Sequence, residues 1–147
     1  MRILFVILLL ACSLGAAAHE DLLTLVEDGH WKRARLLVER GMPSASQDPV
    51  FLWLASRVRL AYGQFDAAVE LGESAAQLDP KNAEYQYNLS EIYGSIAEKS
   101  SLFKQASYGR KCKRAMDAAG ALNPRRTEAL IFLMRFLVLG TESRVQN

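Results

Sequence analysis

The stretch "VFLWLASRVRLAYGQFDAAVELGESAAQLDPKN", Val50 to Asn82, decides the architecture. Its apolar residues recur at intervals of three and four, the period of a helix. Gly63 breaks the run once, and Leu78-Asp79-Pro80 ends it. Proline cannot continue a helix and restricts the residue before it, so the stop is sound. The spacing predicts two helices, 49–62 and 65–78, joined by a tight turn at Gly63. Ala68 and Ala75 stand where bulkier residues would bury more surface. Small residues there keep two helix backbones close, so they read as a contact surface between paired helices.

Working outward, the punctuation recurs. "EDGHW" (Glu27 to Trp31) and "AYGQF" (Ala61 to Phe65) each place Gly two residues before an aromatic. Gly29 and Gly63 thus stand about 34 residues apart. "QLDPKN" (Gln77 to Asn82) and "ALNPRR" (Ala121 to Arg126) each stop a helix at proline, about 44 residues apart. The pattern predicts about seven helices, roughly 19–28, 31–41, 49–62, 65–78, 83–97, 102–122 and 127–139. Strand signals are nearly absent: no sustained alternation occurs, nor any Asn-Gly or Asp-Gly hairpin turn. A two-helix unit that recurs at roughly this interval is the signature of a helical array. One hairpin cannot hide its own apolar face, so neighbours stack and share a core.

Over its whole length, Val50 to Asn82 resembles a tetratricopeptide repeat (TPR). Gly63, Phe65, Ala68, Ala75, Leu78 and Pro80 match that family's signature directly, and Ala55 and Ser56 fall where it has a Leu-Gly pair. Leu52 stands at the usual Trp position, and Arg59 departs from a usual Tyr. "LLTLVEDGHWKRARLLVERG" keeps Gly29, Trp31 and Ala34, and "EYQYNLSEIYG" keeps Tyr87 to Ser90 and Tyr93. About ten extra residues then precede "DAAGALNP". "SLFKQASYGRKCKRAMDAAGALNP" is also similar to the long final repeat of certain exported bacterial TPR proteins. "TEALIFLMRFLVLG" looks like the first helix of a fourth unit.

The resemblance implies an all-α fold over 19–140, of about three helical-hairpin repeats plus a C-terminal packing helix. It implies a short right-handed solenoid, with 141–147 as a tail, and a concave groove lined by the first helices of the units. Carried over by position, Trp53, Arg57, Tyr87, Glu91, Ile131 and Arg135 fall on the groove side. Trp53 and Arg57, like Tyr87 and Glu91, lie four apart, so each pair shares a face. The competing reading packs Trp53 and Tyr87 between repeats and leaves the charges to water. A groove of this kind implies a protein or peptide partner.

The chain opens "MRILFVILLLACSLGAAAHEDLL". Arg2, the apolar run Ile3 to Ala11 and the small residues Gly15 to Ala18 have the layout of a secretory signal peptide over 1–18. The apolar run is far short of the roughly 20 residues needed to span a bilayer. "LLAC" resembles a lipoprotein box ending at Cys12, in which that cysteine is lipidated, while Ala16-Ala17-Ala18 competes for an ordinary cut. Either route predicts export, to the periplasm or beyond. Cutting after Ala18 leaves Cys112 as the one thiol, so no intramolecular disulfide framework can form.

Charge is uneven. His19 to Pro80 carries 6 Lys+Arg against 10 Asp+Glu, and Lys81 to Asn147 carries 11 against 6. Such asymmetry can steer a partner. The densest basic patch is "YGRKCKR", Tyr108 to Arg114, able to meet anionic headgroups or an acidic partner. Helical spacing predicts an apolar stripe of Leu102, Ala106, Gly109, Cys112, Ala115, Met116, Ala119 and Leu122, with the basic residues on the opposite, solvated side.

Catalytic and metal signatures are missing from the sequence. No Gly-rich phosphate loop, HExxH or GxSxG occurs, and His19 and His30 are the only histidines, both far along the chain from Cys112. Cys112 therefore reads as a small packing residue; an enzyme built around it is the reading that Cys112→Ser would test. Asn88-Leu89-Ser90 matches a glycosylation sequon but falls mid-helix. The expectation is no catalytic residue, no metal, no cofactor and no nucleic-acid partner. The last helix is apolar nearly all round, with Leu130, Leu133, Met134 and Leu137 on one side and Ile131, Phe132, Phe136 and Val138 on others. That predicts a buried or docking surface, a homodimer contact included. The sequence thus reads as an exported, non-catalytic interaction module. The alternative is a periplasmic assembly factor held at a membrane through lipidated Cys12.

Overall fold

The computed structural model describes residues 19, 21–42 and 47–125. The expected leader with Cys12, the helix at 127–139 with Ile131 and Arg135, and the tail at 141–147 lie outside the described residues. Those residues form helices and no strand. Helical residues 21–27 are α1, followed by α2 (Trp31–Gly41), α3 (Pro49–Ala61), α4 (Phe65–Leu78), α5 (Ala83–Glu98) and α6 (Leu102–Leu122). The chain divides into two compact units: Met1–Asp79, holding α1 to α4, and Pro80–Asn147, holding α5 and α6.

The turns explain the hairpins. α3 ends in a Schellman motif around Gly63: Gly63 N–H donates to Leu60 O at 2.9 Å, and Gln64 N–H donates to Arg59 O at 2.9 Å. α1 ends the same way, with Gly29 N–H on Val26 O (3.3 Å) and His30 N–H on Leu25 O (2.8 Å). Both motifs need a left-handed residue, and φ is +72° at Gly29 and +68° at Gly63. Across the second turn, Arg59 Nη1 donates to Gln64 Oε1 at 2.9 Å. The departure from tyrosine at position 59 thus becomes a staple over the turn.

Helix starts recur with the same period. Asp48 caps α3, its Oδ1 accepting from the N–H groups of Val50 (3.0 Å) and Phe51 (3.2 Å), with Pro49 in the first turn. Its other oxygen lies 2.6 Å from His19 Nε2. One repeat period further on, Asn82 caps α5 by accepting from Glu84 N–H at 3.0 Å. The two buried serines match as well. Ser56 Oγ donates to Trp53 O at 2.7 Å and Ser90 Oγ to Tyr87 O at 2.6 Å, each satisfying its hydroxyl within its own helix.

In the first unit, α2 packs on α3 and α3 on α4. Leu22 and Val26 of α1, Ala34 and Val38 of α2, Leu54, Ala55 and Val58 of α3, and Ala68 and Ala75 of α4 are all buried. Each large member of that set stabilises the fold by about 1.5–3 kcal/mol. The alanines contribute little surface, but without them the helices could not approach. In the second unit α5 packs on α6, and Tyr85, Leu89, Ile92 and Tyr93 of α5 and Ala115 and Ala119 of α6 are buried. Leu78, the repeat residue before the α4 stop, is 45% exposed.

The second-unit hairpin is longer than that of α3 and α4. α5 has 16 residues against 13 in α3, and α6 has 21 against 14 in α4. These additions account for the excess of the Pro80-to-Pro124 interval over the repeat period. The cause is visible in sequence: one period after Gly63, where the next glycine would fall, stands Ala97. Alanine does not take the left-handed conformation cheaply, so α5 runs on through it to Glu98. Counted back from Pro124 as α4 is from Pro80, the seven residues added to α6 are its first seven, 102–108.

Part of the expected α6 stripe is overturned. Leu102, Ala106, Gly109 and Leu122 are exposed, and only Cys112, Ala115, Met116 and Ala119 face inward. Tyr108 and Lys111 join them, both half-buried, so the basic residues do not all share the solvated side. The face is set by rings: Tyr108 lies against Tyr93 of α5 with centroids 6.1 Å apart. Burying a tyrosine gains more than burying alanine or glycine at the same level.

Gly63→Ala should destabilise the chain by about 1–2 kcal/mol in urea or thermal unfolding, although no atom lies within 4 Å of the added methyl, because the cost is backbone conformation. Leu54→Ala, which empties a fully buried site, should cost about 2–5 kcal/mol in the same assay.

Candidate functional site

Each unit presents an aromatic residue with a charged neighbour one helical turn on. In α3, Trp53 and Arg57 are both half-buried, and the Arg57 guanidinium carbon lies 5.7 Å from the Trp53 ring centroid. A guanidinium at that distance is held by the ring quadrupole, and it stiffens both side chains at an open surface. Ser56, on the buried side of the same turn, fixes the local helix by its bond to Trp53 O. In α5, Tyr87 is half-buried and Glu91 exposed, at positions equivalent to Trp53 and Arg57 in the repeat. Trp53 and Arg57 thus form a pair within one unit, and Tyr87 and Glu91 stand on one face of α5 in the other.

A second feature was not legible in the sequence. An open depression of about 560 Å³ lies between the α1–α2 turn and the end of α3, and its lining includes Trp31, Lys32, Arg33 and Tyr62. Neither Trp53 nor Arg57 lines it. Arg35 of α2 stands over Tyr62, 5.0 Å from the ring centroid, and its Nε donates to Glu39 at 2.7 Å. The bond raises the Arg35 guanidinium above its usual range and holds the Glu39 carboxyl below its own. The folded Glu39 being depressed, the pair supports the helix above the ordinary glutamate value and loses that support as pH falls through the lowered one. Both groups are about two-fifths exposed, so salt screens the effect.

In the second unit, Lys111 is the unexpected residue. Its ammonium lies 5.1 Å from the Tyr93 centroid and 5.6 Å from that of Tyr108, so one cation bridges two rings across the α5–α6 contact. Cys112 is a half-buried free thiol, whose Sγ would lie 3.6 Å from a methyl added at Gly94. Among the described residues no group of three His, Cys, Asp or Glu is placed to hold a metal ion. The side chain of Asn88, in the sequon, is 2% exposed.

Lys111→Ala should lower the midpoint of thermal unfolding, at a cost of about 0.5–1 kcal/mol, and Lys111→Arg should largely restore it. Removing the exposed Lys113, which pairs with Asp117 at 2.6 Å one turn on, should cost less than Lys111→Ala.

No protein-family model matches the sequence, and no curated protein is similar to it. Among solved structures, the chain is similar to a thermophilic TPR protein in Thermus thermophilus, with a TM-score of 0.71 and 22% identity. The match covers 88% of this chain and 68% of that one. At that identity the likeness concerns the fold. One common interval separates Gly29 from Gly63, Asp48 from Asn82, and Ser56 from Ser90, and it agrees with that fold. The chain has the helical-hairpin repeat fold of tetratricopeptide proteins.

Proposed function

We propose that this protein is a non-catalytic interaction module that binds a protein segment through the first helices of its repeats. The fold supports a protein partner in general terms. The observation that carries the finer reading is the half-exposed Trp53–Arg57 pair on α3. Tryptophan, tyrosine and arginine dominate interface energetics, and a pre-ordered pair loses little entropy on binding. The same reading assigns Tyr87 and Glu91 on α5 to partner contact in the second unit, and by sequence alone adds Ile131 and Arg135, which lie outside the described residues.

Export is part of the proposal and rests on the sequence of residues 1–18. A lipidated Cys12 would tether the module to a membrane, while a cut after Ala18 would release it. A homodimer through the apolar segment 127–139 is a second mode of assembly for the same module. No step of catalysis is assigned to Cys112, and none of these readings requires a cofactor.

Trp53→Ala should reduce capture of the partner from an envelope extract by at least about tenfold while barely shifting thermal unfolding. A collapse of stability with the same substitution would place Trp53 in the core and remove the groove. Mass spectrometry of the mature N-terminus should find a start at His19, or at an acylated Cys12; an intact Met1 would defeat export by either route.

A further inference from the structure

The start of α6 stands exposed. Every residue from 102 to 107 is exposed, Leu102 at 81% and Phe103 at 93%. The other exposed large hydrophobics of the described residues range from 38% to 52%. These two lie in the seven-residue addition that carries the α5–α6 hairpin past the length of α3–α4. Positive charge predominates at that end: Lys99 to Arg114 contains six cations (Lys99, Lys104, Arg110, Lys111, Lys113, Arg114) and no acid, with Glu98 beside Lys99 and Asp117 paired with Lys113 as the neighbouring acids.

We propose that the α5–α6 end docks on an anionic lipid bilayer, with Leu102 and Phe103 entering the interface and the flanking cations meeting the headgroups. Charge complementarity selects this occupant. Each cation near an anionic leaflet adds to the attraction, and two apolar side chains supply the part that salt does not screen. An acidic protein is the competing occupant. However, four of the six cations are lysines, which protein interfaces deplete, and the apolar patch is only two residues wide.

Geometry orders the cations. Lys99 and Lys104 flank the tip directly. Arg110 stands seven residues beyond Phe103, about 10 Å along the helix axis, which is one screening length at ordinary salt. Lys113 and Arg114 lie further, and Lys111 is held over Tyr93 and Tyr108. No helix among the described residues is long and apolar enough to cross a membrane, so the contact is peripheral. It is independent of the Trp53 surface.

The test uses the full chain and vesicles of either phosphatidylcholine or equimolar phosphatidylcholine and phosphatidylglycerol, read by co-sedimentation. The expected result is tighter binding to the anionic vesicles, weakening as salt rises. Leu102→Ser with Phe103→Ser should reduce it by at least about tenfold, without changing the circular dichroism, because both residues are exposed. Lys104→Glu should weaken binding more than Arg110→Glu, and Arg110→Glu more than Arg114→Glu. Association driven by residues 1–18 would persist on both vesicle types in the double variant, and that outcome overturns the proposal. So does equal binding to neutral vesicles. Loss of a homo-oligomer by light scattering, with vesicle binding unchanged, would assign the tip to a second copy and also overturn it.

Discussion

Twice the first unit reverses its chain between two helices within three residues, and each time the turn runs through one residue with positive φ. Gly29 and Gly63 take the left-handed conformation, and the carbonyls behind them are satisfied by the two hydrogen bonds of the motif. The rest follows from that reversal. It lays α4 back along α3, so that Ala68 and Ala75 can be buried without a cavity. It also leaves an apolar stripe on each hairpin that only a neighbour can cover, which is why α2 packs on α3.

The second unit shows what happens when the constraint is relaxed. Ala97 stands where the period calls for glycine, and α5 does not stop there. The turn moves outward to Lys99, Ser100 and Ser101, and no residue in it has positive φ. What the hairpin loses in a defined turn it regains in ring contacts. Tyr93, at the tyrosine position that Arg59 vacates in the preceding repeat, lies against Tyr108 and shares Lys111 with it.

Helix positions were largely legible in the sequence because their determinants are local. Glycine, proline, aspartate and asparagine act within a few residues, and the expected 65–78 and 102–122 coincide with α4 and α6. α3 stops one residue before its expected end and α5 runs one past its own. The packed face of α6 was less legible, because it is chosen by what α5 offers. A count of small apolar residues favoured the line through Leu102, Ala106 and Gly109, whereas Tyr93 drew in Tyr108 and the ammonium of Lys111. Likewise the shared face of Trp53 and Arg57 could be read from a spacing of four. The depression beside Trp31 joins residues about 30 apart, a juxtaposition that no local pattern encodes.

The lengths added to the second-unit hairpin have a consequence for how such arrays vary. At 100° per residue, seven residues return a helix to within about 20° of its starting azimuth, and three fall short of a full turn by about 60°. The strand of chain entering α6 therefore meets its partner from nearly the same direction as in the shorter hairpin, and the same three-residue connection serves both. The addition to α6 is thus close to two whole turns, whereas that to α5 is not. The outer end changes in length and chemistry, while Cys112, Ala115 and Ala119 keep the seat held by Ala68, Leu71 and Ala75 one repeat earlier.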